Sequence, residues 1–284
     1  MTTTLERTAE ALVSQEQIDA YDRDGAVLVK GAIGRDWLER VGAAIERDIE
    51  NPGPFCHSYE PENGQGRFHG NLRLWETDAD CHDYCFYSPM PAPAARFFGA
   101  SKINLFYDQL FVKEPGTVNP TPWHNDQPYW PVWGWQVMSF WLALDPVTED
   151  SGRVEFVRGS HKWDRWFQPK AFGDRVDMMQ YEQNPDYEPL PDIEANRGDY
   201  DIIAWNMEPG DLIAFHALTL HGSGGNRRQD VRRRGYTVRY TGDDAVYDPR
   251  PGIAKGLDDD ALSPGDPLDG KLFPVVWRAN AAAA

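Results

Sequence analysis

The chain of 284 residues carries 28 Lys and Arg against 45 Asp and Glu, a formal charge of −17 at neutral pH. So few cations cannot displace the counterions that drive nucleic-acid binding, and the surplus of acid is repelled by an anionic membrane surface; neither partner is expected. An apolar share of 41%, with 13% aromatic residues, suffices for a buried core and places the charge on a solvated exterior.

The N-terminal stretch MTTTLERTAEALVSQEQ is acidic and helical in character, without the basic head and apolar centre of a secretory leader. No run of about 18 apolar residues is present to cross a bilayer. A cytoplasmic location is therefore expected. Ser14 followed by Gln17 has the form of a capping box, with Ile18 and Tyr21 on one helical face, and Asp24-Gly25 ends that helix. A short apolar strand follows at 26–30. From about Arg35 a second helix carries Trp37, Leu38, Val41, Ile45 and Ile49 at helical spacing and stops at Asn51-Pro52-Gly53-Pro54. Three cysteines argue against a disulfide framework, and Cys56 beside His57, like Cys81 and Cys85 around His82, lacks the paired spacing of a zinc site.

Beyond Lys102 the texture changes to short strands between Pro, Gly, Asn and Asp clusters: INLFYDQLFVK, QVMSFWLALD, RVEFVRG, DIIAWN, DLIAFHALTLHG and YTVRYTG. Many short strands at this spacing predict a mainly β sandwich or barrel with supporting helices. One domain over 1–284 is expected: helical support over 1–55, a core barrel over 100–243, a polar insertion at 164–200 of the kind that forms lids, and a wrapping tail over 244–284.

Chemistry concentrates in two segments. In TPWHNDQPYW, His124 and Asp126 lie two apart and in extended backbone project to one side, so both can reach one metal ion. A third ligand can come from His216 or His221 in DLIAFHALTLHGSGGN. Two histidines and a carboxylate leave three positions of an octahedral ion open, the arrangement of non-haem Fe(II) oxygenases: two for a chelating 2-oxo acid, one for O2. A 2-oxo acid with a distal carboxylate also needs a cationic fork, for which Arg is suited. Arg227, Arg228, Arg232, Arg233 and Arg234 follow closely; Arg227 and Arg228 read as a solvated turn. On the next strand Arg232 and Arg234 share a side and Arg233 faces away, and one of Arg232 and Arg234 is expected to point inward.

Five ordered segments, DQLFVKEPG, WHNDQPYW, FWLALDPVTEDSG, VRGSHKW and EPGDLIAFHALTLHGSGGN, make the chain resemble the phytanoyl-CoA dioxygenase (PhyH) family of Fe(II)- and 2-oxoglutarate-dependent oxygenases. The resemblance runs from the N-terminal helix to about Asp243. It implies a double-stranded β-helix, or jelly roll, with Fe(II) held by His124, Asp126 and His221 and with 2-oxoglutarate as cosubstrate. It selects Arg232, eleven residues beyond the distal His, for the cosubstrate carboxylate, and places Gln109, Trp141 and Ser223 around the same pocket. His161 is implied to be structural. Related halogenases replace the carboxylate ligand by a small residue; Asp126 fills that position here, which argues for hydroxylation over halogenation.

For the substrate, a small molecule is expected. RFHGNLRLW alternates, so that Arg67, His69, Asn71 and Arg73 share one face, suited to an anionic or polyhydroxylated ligand, while Phe68, Leu72 and Leu74 share the other. Trp130, Trp133 and Trp135 are candidates to wall the entrance. Two other readings use the same triad: a jelly-roll isomerase with non-oxidative chemistry, and a binding protein without turnover.

Overall fold

The computed structural model describes residues 12–59, 66–170, 182–254 and 256–279. Residues 1–11 of the expected helical support, 171–181 of the insertion and the closing alanines lie outside them. Two antiparallel sheets face each other, with four α-helices among the described residues on the outer side of the larger one, a jelly-roll arrangement. The helices are α1 (Gln15–Asp24), α2 (Arg35–Glu50), α3 (Ala79–Tyr87) and α4 (Pro91–Phe98). Both halves of the capping box form at α1: Ser14 Oγ accepts from the Gln17 amide, and Gln17 Oε1 accepts from the Ser14 amide. Gly25, at φ 81°, closes the helix where an added Cβ would lie 2.5 Å from both His161 Nδ1 and Thr219 Oγ1. Helical support thus reaches Phe98, well past residue 55. α3 and α4 escaped the sequence reading because α3 buries Cys81, Tyr84 and Cys85 but carries Phe86 and Tyr87 off that face, which blurs the period, while α4 is short, opens with two prolines and is buried almost throughout.

The larger sheet runs β1 (Ala26–Val29), β9 (Leu212–His216), β6 (Val137–Ala143), β11 (Arg233–Thr241) and β3 (Lys102–Lys113). The outer edge of the long β3 is shared: β2 (Phe68–Leu72) pairs with its Gln109–Lys113 end, and β13 (Val275–Arg278) with its Lys102–Asn104 end. The smaller sheet is β4 (Thr121–His124), β10 (His221–Ser223), β7 (Val154–Val157) and β8 (Ile202–Ala204). β5 (Val132–Trp133) pairs with β12 (Val246–Tyr247). The tail is therefore more than a wrap: β13 extends the large sheet, and Leu257, Leu268 and Phe273 pack with Phe106, Tyr107 and Trp130.

Alternation along the central strands sorts the side chains. Phe140, Leu142, Leu212, Ala214, Tyr236, Val238 and Tyr240 point to the helices and form the main core with Val41, Ile45, Tyr84 and Phe97. The opposite set, Trp141, Ile213 and Phe215, meets Val154 and Phe156 of the small sheet. Residues of that second parity line the space between the sheets, where the candidate site lies. The run DLIAFHALTLHG, read as one strand, is broken at 217–220, so that β9 and β10 belong to different sheets.

Candidate active site

His124 ends β4 and His221 opens β10, and the two are directly paired across the ladder. Asp126 lies just past the strand at φ −77° and ψ −43°, entering a turn, so helical backbone and not strand alternation brings it beside His124. The amides of Asp126 and Gln127 both donate to the Ala217 carbonyl, pinning that turn to the link between β9 and β10. Asp126 Oδ1 comes 3.4 Å from His124 Nε2 and 3.8 Å from His221 Nε2. One ligand atom from each of the three residues falls within 4.8 Å of the others, a cluster that could hold a metal ion. The tautomers agree with that use. Nδ1 of His124 donates to the Pro122 carbonyl (2.8 Å) and Nδ1 of His221 to the Thr219 carbonyl (3.0 Å), so each ring turns an Nε2 lone pair to the common centre. Burial, then the neighbouring His124, push His221 down to about 4, keeping it neutral. Burial opposes ionisation of Asp126, but His221, His124 and Arg239 outweigh it and hold the carboxyl below its ordinary range. His216 is used up elsewhere: Nε2 donates to the Trp135 carbonyl (2.8 Å) and Nδ1 accepts from the Leu218 amide (3.1 Å). His161 Nε2 donates to the Asp22 carbonyl, tying the chain before Gly25 to the barrel.

A single cavity contains all three triad residues and reaches Gln109, Trp141 and Ser223, the positions expected around a cosubstrate. Arg232 is not among its walls. Its guanidinium turns to the helical side and pairs with Glu46 of α2 (2.8 Å) and Glu114 (3.0 Å). Arg234 shares that side, held by Glu46 and Asp145. Arg233, only 2% exposed, is the arginine of this cluster that enters the cavity, which reverses the parity assigned from the sequence. Its Cζ stands 5.4 Å from the Trp141 ring centre, Nη2 donates to the Gly152 carbonyl, and Nε is buried without a partner. Beside it the buried Lys113 donates from Nζ to Ser223 Oγ (2.9 Å) and the Gly224 carbonyl (2.6 Å). Burial, reinforced by Arg233, pushes the Lys113 ammonium well below its usual range, and burial brings Arg233 down to about 10. Two adjacent buried cations whose hydrogen bonds go to neutral oxygens form a place for an anion. Gly235 makes this end possible, since a Cβ there would come within 2.2 Å of the Trp141 ring.

The face of β2 that meets the cavity is also the reverse of that expected. Phe68 and Leu72 line it, whereas His69 and Asn71 face α2, where Asp48 accepts from His69 Nε2 (2.8 Å) and Asn71 Nδ2 (2.7 Å). Arg67 reaches Ser58 and His69, and Arg73 reaches Glu76 and the Gly256 carbonyl; neither lines the cavity. A polar face here serves helix docking, because the half-buried Asp48 is supplied with donors by His69 and Asn71. Trp130 does line the cavity, while Trp133 stacks on Trp166 and Trp135 packs on His216, both partly exposed. Lys113, Arg239 and Tyr107 are cavity residues that the sequence reading did not single out, and Arg233 and His57 are ones it named without placing them there.

A jelly roll with two histidines and one carboxylate around a point defines a mononuclear metal site with open coordination positions. The chain belongs to the phytanoyl-CoA dioxygenase (PhyH) family, whose model matches residues 21–235. It is 24% identical over 240 residues to the peroxisomal phytanoyl-CoA dioxygenase of Mus musculus, covering 78% of this chain and 67% of that one. Among solved structures it is similar to the non-heme alpha-ketoglutarate-dependent carbocyclase SnoK from nogalamycin biosynthesis, with TM-score 0.74, 26% identity and coverage of 98% and 100%. The epimerase SnoN, solved with Fe3+, alpha-ketoglutarate and nogalamycin RO, gives TM-score 0.72 and 22% identity, with coverage of 93% and 98%. No helix among the described residues is long and apolar enough to cross a membrane.

Proposed function

We propose that the protein is an Fe(II)- and 2-oxoglutarate-dependent oxygenase that hydroxylates a small organic metabolite in the cytoplasm, consuming O2. The observation that carries this reading is one cavity joining a His-Asp-His cluster to the buried cations Lys113 and Arg233. His124 and His221 would hold the metal through Nε2 and Asp126 through its carboxylate. Arg233, assisted by Lys113 and Ser223, would take the distal carboxylate of 2-oxoglutarate, with Gln109 and Trp141 closing the walls around its chain. Bound iron would couple oxidation of a substrate C–H bond to decarboxylation of the 2-oxo acid to succinate and CO2. Tyr107, Tyr129 and Trp130 supply an aromatic wall at the triad end of the cavity, with the Tyr129 ring 5.9 Å from that of His124.

A second outcome on the same site, ring closure or epimerisation, is favoured by the carbocyclase and epimerase named above. Substrate placement selects between hydroxylation and ring closure, since both are two-electron oxidations of the substrate; epimerisation leaves its oxidation level unchanged and would need an external reductant to return the hydrogen. An isomerase without 2-oxo acid has no use for the Lys113 and Arg233 pair.

The test is anaerobic addition of Fe(II) and 2-oxoglutarate, followed by O2 and measurement of succinate. A visible charge-transfer band and then succinate are expected; absence of both refutes the oxygenase reading, and a band without succinate across a substrate panel identifies a binding protein. His221→Ala should abolish the band, whereas His216→Ala should leave it and lower stability. Product mass then separates hydroxylation, which adds one oxygen, from ring closure, which removes two hydrogens.

A further inference from the structure

The end of the cavity away from Arg233 holds a second buried guanidinium, Arg239, which lies beside the triad and helps to keep Asp126 ionised but which the cosubstrate site does not use. Arg239 lies six residues beyond Arg233 on the same face of β11, which in extended backbone separates their Cα atoms by about 20 Å. It is 4% exposed and lines the cavity. Its Cζ stands 4.3 Å from the Tyr107 ring centre and 5.1 Å from that of Trp130. Nε and Nη1 are buried without a hydrogen-bond partner. The nearest acid is Asp126, whose Oδ2 is 3.9 Å from Nε, too long for a hydrogen bond; that carboxylate is also turned to His124 and His221 through Oδ1.

Stacking against aromatic rings stabilises the charge of a guanidinium but leaves its in-plane N–H groups unsatisfied. A buried cation in that condition is unfavourable unless something else brings an acceptor. Thr237, the next inward residue toward Arg233, also has a buried hydroxyl without a partner. Leu72, Tyr129 and Leu257 cluster with Tyr107 and Trp130 and line the same cavity, so the space beside Arg239 suits a flat apolar body ending in an acidic oxygen.

We propose that Arg239 is the substrate anchor: it binds a carboxylate or enolate oxygen of a cyclic, largely apolar substrate that lies along Tyr107 and Trp130. The proposal rests on the oxygenase reading only in taking the triad as the reacting end. The anchor keeps one edge of the substrate near Asp126 and thereby limits which C–H bonds reach the metal. Lys113 and Arg233, at the other end of β11, remain available for the cosubstrate.

The experiment is anaerobic calorimetric titration of the protein, loaded with Fe(II) and saturated with 2-oxoglutarate, using 2-naphthoate and its neutral counterpart 2-naphthamide as probes. Saturation keeps the acid probe out of the Arg233 end. The acid is expected to bind about tenfold or more tightly than the amide, the difference one charge-assisted contact supplies. Arg239→Gln should remove that preference and Arg239→Lys should retain part of it, while Arg232→Gln, on the helical side, should leave it whole. Failure of 2-naphthoate to bind, equal binding of acid and amide, or a preference that survives Arg239→Gln each overturns the proposal. So does an Arg239→Gln protein that keeps the preference but needs more 2-oxoglutarate or loses iron, which would make Arg239 a positioning residue for Asp126 or a cosubstrate contact. Failure of the oxygenase reading is seen separately, as a missing charge-transfer band before any probe is added.

Discussion

Arg232, Arg233 and Arg234 are chemically identical and differ only in the side of β11 on which they fall. Arg232 and Arg234 share a side with Tyr236, Val238 and Tyr240, which pack against the helices, and their guanidinium groups extend to Glu46 and Asp145 at the rim of that core. Arg233 shares the other side with Gly235, Thr237 and Arg239, a set that is small or polar and therefore leaves a cavity. Removing the partner of a buried anion typically costs about 1.5–3 kcal/mol, or about 10- to 150-fold in affinity. Arg233→Ala should raise the 2-oxoglutarate requirement by that much in a titration of the charge-transfer band. Arg232→Ala should change it less than about twofold, since its half-exposed ion pairs contribute no more than about 1 kcal/mol to stability. The opposite ranking would restore the assignment drawn from the family spacing.

At the scale of elements, the short turn 74–76 that precedes α3 is held to the sheet through Asp108, a buried acid on β3. Its Oδ2 accepts from the Tyr236 hydroxyl and the Trp75 amide, while Oδ1 is buried without a partner. Burial dominates those hydrogen bonds and pushes the carboxyl up to about 7 from an ordinary 3.8. Between those two values the folded chain keeps a proton that the unfolded chain releases. The stabilisation is complete below about pH 4 and is lost as pH rises to about 7, an effect on the order of a few kcal/mol. Denaturant unfolding across that window should show stability falling with pH, and Asp108→Asn should flatten this component; an unchanged slope would place Asp108 at an ordinary pKa. The same elements show what the sequence makes legible. The strands of the barrel are readable because one face is uniformly apolar, and the His124, Asp126 and His221 positions because they sit in compact motifs. Which face looks inward is harder to read: in β2 and β11 the polar side chains were expected in the cavity, yet those of β2 and two of the three consecutive arginines of β11 bond acidic side chains of α2, an interaction no local pattern reveals. The neighbouring apolar residues held the clue, since Tyr236, Val238 and Tyr240 mark the helix-facing parity of β11.

For the whole molecule, a charge of −17 and a dianionic cosubstrate are in conflict unless the two signs are separated in space. The separation is by depth. Exposed positions carry most of the surplus acid, whereas Lys113, Arg233 and Arg239 are each under 5% exposed and open onto the cavity. An approaching dianion therefore meets repulsion first, over distances comparable with the Debye length of about 10 Å at 0.1 M salt, and attraction only at the end of its path. Salt screens the exterior charges much more than the buried ones. Raising ionic strength from about 10 to 200 mM should then accelerate association of 2-oxoglutarate with the Fe(II)-loaded protein while changing its dissociation little. Stopped-flow growth of the charge-transfer band under anaerobic conditions measures both rates. An association rate that falls with salt would mean that the field of the buried cations already reaches beyond the cavity mouth and steers the cosubstrate in, despite the acidic exterior.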